Sequence, residues 1–101
     1  MDSKHIYKAA ILLLDKYFNN NSLYRHYALN IRSSERCIKI SLRQFALDIL
    51  SELGLDVDGI FLERVMKIIA TTVLPGLGEA GFRIVRTSHN RARYIICQEL
   101  K

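Results

Sequence analysis

The chain has no tryptophan, a single proline (Pro75), five glycines and two cysteines in 101 residues. No apolar run approaches the roughly 20 residues that a membrane-crossing helix needs. The run Ile11–Leu14 follows Lys4 and Lys8, but Asp15 and Lys16 cut it short and no small-residue cleavage site follows, so no signal peptide and an intracellular, cytoplasmic protein are expected. Cys37 and Cys97 lack C-x-x-C spacing and His5, His26 and His89 are scattered, which argues against a zinc site. Gly76-Leu77-Gly78 lacks the further glycines and the Lys-Ser/Thr of a phosphate-cradling loop. Asp48, Glu52, Asp56 and Asp58 are the one acidic set that a metal-dependent nuclease could use. Asp48 and Glu52 stand four apart on a helix, however, which reads as a solvated face. Neither an enzyme nor a cofactor is expected. Without repeats or low-complexity linkers, residues 1–101 read as one domain.

What is present is positive charge at both ends. The net charge is +5, from 15 Lys and Arg against 10 Asp and Glu. Residues 1–42 carry seven basic and three acidic groups, residues 43–79 three and six, and residues 80–101 five and one. A polyanionic partner would meet the ends of the chain rather than its middle.

The first helix is expected at about residues 3–19. Ile6, Ala9, Ala10, Leu13, Leu14 and Tyr17 recur at helical spacing, Asp2 or Ser3 offers a cap, and Asn19 to Ser22 ends it. Residues 22–36 read ambiguously, as a strand through Tyr27, Leu29 and Ile31 or as a short helix. Tyr24 and Tyr27 could stack on bases or pack a loop against the core. Ile38, Ile40 and Leu42 alternate as a short strand. A second helix follows at about residues 42–53, with Ser41 and Gln44 as a capping box and Gly54 as the C-cap. Asp58 can cap a third helix over about residues 59–73, which Pro75 should end or kink before another turn at Leu74 and Leu77. Glu63 on that helix would accept from a base or pair with Lys67.

The last twenty residues read as a hairpin. Phe82, Ile84 and Val85 form one run and Tyr94, Ile95 and Ile96 the other, with Ser88-His89-Asn90 as the turn. Arg83, Arg86, Arg91 and Arg93 crowd it. These arginines could contact phosphate or simply keep an exposed strand edge from aggregating.

The pattern Ile38-x-Ile40-Ser41-Leu42-x-x-Phe45-Ala46, then Gly81-Phe82-x-Ile84-x-Arg86, then Arg93-Tyr94-Ile95-Ile96, resembles the winged helix-turn-helix domains, in particular the small ones of archaea and their viruses. The resemblance spans residues 36–100. It implies an α+β fold of three helices, a small antiparallel sheet and a C-terminal wing. It also implies duplex DNA binding by a homodimeric, nucleoid-associated or regulatory protein. Carried over, Arg64, Lys67 and Thr71 would face the major groove, Arg43 and Gln44 would meet backbone phosphate, and Arg86, His89, Asn90, Arg91 and Arg93 would lie along phosphate or the minor groove. The acidic Asp56, Asp58 and Glu63 depart from a strong base reader and favour binding led by phosphate contacts. The same fold also serves as a protein–protein interaction module, the alternative function. A second apolar flank on the first helix, Ile11, Leu12 and Phe18, is expected to form the dimer surface with residues 22–31. Because such sheets pair the first strand with the last, Cys37 and Cys97 would be cross-strand neighbours. They would either be free thiols, as in a mesophile cytosol, or join as a disulfide.

Overall fold

The computed structural model describes residues 2–20, 27–29, 35–56, 58–87 and 93–99. The elements are α1 (Ser3–Asn19), β1 (Ala28–Leu29), β2 (Glu35–Ser41), α2 (Leu42–Glu52), α3 (Gly59–Ile68), a π-helical stretch (Ile69–Val73), α4 (Leu74–Glu79), β3 (Arg83–Thr87) and β4 (Arg93–Glu99). The fold is α+β, with the helices packed on one face of an antiparallel sheet of order β1-β2-β4-β3. Three strands are substantial and β1 has two residues.

Local chemistry sets the helix ends. Asp2 accepts from the His5 N–H and Asp58 from the Phe61 N–H, each satisfying an amide that the helix leaves open. Asn19 turns its side-chain amide back onto the Asp15 carbonyl at 2.9 Å, competing with further helix. Gly54 and Gly81 have φ of 71° and 100°, and each closes its helix with a paired return. Leu55 N–H reaches Leu50 O and Gly54 N–H reaches Ser51 O; Phe82 N–H reaches Leu77 O and Gly81 N–H reaches Gly78 O.

Pro75 neither ends nor breaks the third helical segment. The helix widens just before it, so that Leu74 N–H donates to Ile69 O, five residues back. A π-turn absorbs the missing proline donor, and helix runs on as α4. α4 lies close against α1. The Tyr7 hydroxyl donates to Gly76 O at 3.2 Å, and a side chain at Gly76 would meet the Tyr7 ring at 2.9 Å.

The core is continuous from α1 through the sheet. Tyr17, Phe18, Phe45, Ile38, Ile49, Leu50, Ile69, Leu77 and Ile96 are among its largest members. Phe18, expected on the exposed flank of the first helix, is 0% exposed and stacks on Phe82 with ring centroids 6.4 Å apart. Of that flank only Leu12 is open, at 58%, while Ile11 packs against the core.

The β2–β4 register sets Ile38 opposite Ile96, Ile40 opposite Tyr94 and Cys37 opposite Cys97. Ile38, Ile40, Tyr94 and Ile96 face the core. Alternation sends Cys37 and Cys97 to the other face, where they form a disulfide with Cα atoms 4.1 Å apart and are also buried. The bond closes a loop with a sequence separation of 60, and a cross-link over a loop of that size removes roughly 4 kcal/mol of unfolded-state entropy. Denaturant unfolding with and without a thiol reductant, alongside a Cys37→Ser/Cys97→Ser variant, is predicted to show a loss of about 3–4 kcal/mol on reduction and no effect of reductant on the variant.

Candidate nucleic-acid interface

Strand β2 passes straight into α2, so the end of the sheet and the start of that helix share residues. The Ser41 hydroxyl accepts from the Gln44 N–H at 3.0 Å. The expected capping box is only half formed, because the Gln44 amide turns away to donate to Asp48 Oδ1 at 2.7 Å. Asp48 also takes hydroxyl protons from Tyr17 and, at 3.0 Å, from Tyr27 on its Oδ2. Tyr17 and Tyr27 meet edge to face with centroids 5.0 Å apart. Tyr27 is thus a packing residue, and Tyr24 lies outside the described residues.

Asp48 and Glu52 are not a solvated pair. Asp48 closes the three-donor network, and Glu52 accepts from Lys16 of α1 at 2.6 Å. Both carboxylates hold α1 and residue 27 against α2.

The cations divide into held and open. Arg83 of β3 grips Glu35 of β2 through two bonds, Nε to Oε2 at 2.9 Å and Nη2 to Oε1 at 3.0 Å, across the intervening β4. Its Nη2 also lies 3.4 Å from the Cys97 sulfur. Glu35, Cys37 and Cys97 gather ligand atoms within 4.8 Å. The two sulfurs are bonded to each other and the carboxylate holds a guanidinium, so all three groups are already engaged.

All ten Asp and Glu residues belong to the described part of the chain. Lys39, Arg43, Arg64, Lys67, Arg86 and Arg93 form no ion pair with any of them. All six are exposed. Arg64, Lys67 and Thr71 share one helical stripe, and the Glu63–Lys67 bridge does not form. Thr71 spends its hydroxyl proton on Lys67 O at 2.7 Å, so it keeps only acceptor capacity. Arg86 stands opposite Tyr94 and Arg93 opposite Thr87, so these two arginines project to opposite faces of the hairpin. His89, Asn90 and Arg91 lie outside the described residues.

A pocket of about 390 Å³ opens where these parts meet, lined by Tyr27, Ala28, Lys39, Ile40, Ser41, Gln44 and Arg93. It brings together Gln44 and Arg93, which sequence reasoning nominated separately, and adds Lys39, which sequence reasoning missed. The available signal was the alternation of β2: with Ile38 and Ile40 inward, Lys39 must project to the face that Arg93 shares. A second pocket, of about 500 Å³, is lined by Asp58, Gly59, Ile60, Phe61 and Arg64, and Ile60 on its wall is 72% exposed. No helix among the described residues is long and apolar enough to cross a membrane. Compared with family models, curated proteins and solved structures, the chain matches none.

Burial, followed by the Asp48 hydrogen bond, pushes the Tyr17 hydroxyl well above the ordinary tyrosine range and Tyr27 up to about 12. Both hold their protons more tightly folded than unfolded. The network's stabilisation is therefore complete below about pH 10 and drains as pH rises through the folded values. Unfolding midpoints measured from pH 8 to 11.5 are predicted to fall above pH 10, and to fall less steeply in Tyr27→Phe. An equal slope in the variant would show that the network does not hold these protons.

Proposed function

We propose that this chain is a winged-helix protein that binds duplex DNA, led by phosphate contacts, in a nucleoid-associated or regulatory role. The order of its elements, β2 pairing with the last strand, and a β3–β4 hairpin following the third helical segment support the winged-helix reading. The observation that carries the DNA reading is a set of exposed cations without a carboxylate partner, Lys39, Arg43, Arg64, Lys67, Arg86 and Arg93, to which Lys4 and Lys8 add two more. They sit on β2, α2, α3, β3 and β4, with Lys4 and Lys8 on α1. Cations left open while ten carboxylates are present suit a polyanion, whose phosphates release counterions as they are neutralised. Arg25, Arg32, Arg91 and Lys101, outside the described residues, add to the positive charge.

The α3 stripe has Arg64 and Lys67 but a Thr71 hydroxyl that is already donating, and it borders exposed Glu63. That favours affinity over base discrimination. A homodimer belongs to the proposal, since two-fold symmetry would let two copies span successive grooves. Its α1 surface now rests on Leu12, with Phe18 in the core. A cytoplasmic setting, with its reducing thiol pool, fits the Cys37–Cys97 disulfide best in a hyperthermophile.

One observation favours the second reading, a protein-interaction module. Ile60, 72% exposed, flanks the pocket with Phe61 in the acidic middle of the chain. Ile60 and Phe61 line the same pocket and so give a small contiguous apolar surface that a protein partner could cover.

Titration into random-sequence duplex at 50 and 200 mM salt separates the two. Binding is expected with a log–log salt slope steeper than about −3, since each phosphate contact contributes about 0.9. Arg64→Gln/Lys67→Gln is expected to shrink that slope by about 2 with little change between sequences. No binding at 50 mM salt would reject the DNA reading.

A further inference from the structure

The geometry points to the pocket between β2, β4 and the start of α2 as a seat for a single phosphate group, with Lys39 and Arg93 as its charged clamp and the Ser41 hydroxyl as a donor. This rests on, and sharpens, the proposal of phosphate-led DNA binding. Lys39 lies opposite Ile95 and Ser41 opposite Arg93, so Lys39 and Arg93 are diagonal neighbours on one face of the sheet. Such positions are about 7–8 Å apart, close enough for both side chains to reach one oxyanion.

Two like charges at that spacing repel unless something of opposite sign lies between them. No carboxylate does: none of the seven lining residues is acidic, and neither cation forms an ion pair. The nearby row of the same sheet face is built differently, since there Arg83 is answered by Glu35. The sheet thus neutralises one cation internally and leaves two open at the other end, beside a cavity of about 390 Å³. Ser41 accepts from the Gln44 N–H through its oxygen, which leaves its own proton to donate. Thr87 donates to Arg93 O at 3.1 Å and so fixes the first residue of β4 at the rim.

The chemistry is that of a phosphate oxyanion, supplied either by the DNA backbone or by a free phosphate monoester. Lys39→Gln/Arg93→Gln changes only exposed side chains, and its fold is checked by its unfolding midpoint. Amide resonances of labelled full-length protein are followed while inorganic phosphate, then a mononucleotide, is added against a chloride control. Duplex affinity is measured in parallel. Expected are shifts at Ser41 to Arg43 that disappear in the double variant, and duplex binding about tenfold weaker with a salt slope shallower by about 1. Unchanged duplex affinity and slope in the double variant, with no phosphate-dependent shift in the parent, would overturn the seat while leaving the DNA reading intact. Shifts that persist in the double variant would also overturn it. Variant-sensitive shifts in a protein that fails to bind duplex would uphold the seat for a free phosphate monoester and reject the DNA reading.

Discussion

The pairing of β2 with β4 is the constraint on which the rest depends. It is the longest pairing in the sheet, running from Glu35 opposite Glu99 to Ser41 opposite Arg93, and a disulfide locks its register at Cys37 and Cys97. A strand slipped by one residue sends every side chain to the other face. Here a slip would take Ile38 and Ile40 out of the core and turn Lys39 into it. Core formation and the presentation of cations are therefore two consequences of one register. The disulfide adds what a two-strand contact lacks, a covalent tie between segments that are far apart in sequence. Arg83 and Glu35 reinforce it by spanning β4 from either side.

The second organising point is the junction at Ser41. Because no loop intervenes between β2 and α2, the orientation of the sheet fixes the direction of the helix. Asp48, one turn beyond Gln44, collects donors from α1, α2 and residue 27 at once. With three donors on one carboxylate, Asp48 ties α1, residue 27 and α2 together. Open cations lie on the sheet, on the first turn of α2 and on the α3 stripe, and Lys4 and Lys8 are open on α1. Asp2 and Asp58 cap helices, Asp48 and Glu52 hold α1 and residue 27 to α2, and Glu35 holds Arg83, while a subset of the bases forms no ion pair.

The helices and the alternation of the strands were legible in the sequence because each carries a strong local signal. The stripe from Ile6 to Tyr17, the Ser41 and Asp58 caps and the turn glycine Gly54 lie within one or two turns of the residues they organise. Three things were not legible, each because it depends on a distant partner. Phe18 reads as an outward residue until Phe82, from the far end of the chain, covers it. Asp48 and Glu52 read as a wet face until Tyr17, Tyr27 and Lys16 arrive. Pro75 reads as an end or kink with a further turn after it, and spacing alone does not reveal the π-turn by which the helix passes it. For the candidate interface, sequence supplied Arg43, Gln44, Arg64, Lys67, Arg86 and Arg93 one by one. It could not show that Arg83 is already held, that Arg86 and Arg93 project to opposite faces, or that Lys39 joins Arg93 at one pocket.

In this small α+β domain the locked sheet register places Lys39 of β2 and Arg93 of β4 at one pocket with Gln44 of α2, and the α3 stripe is a second basic element. The most direct test is a residue-by-residue footprint of a short duplex on isotope-labelled, oxidised protein at low salt. The account predicts perturbed amides at Lys39 to Arg43, at Arg64 and Lys67, and at Arg93. A footprint confined to Asp58 to Phe61, or to Leu12 and its neighbours on α1, would contradict it.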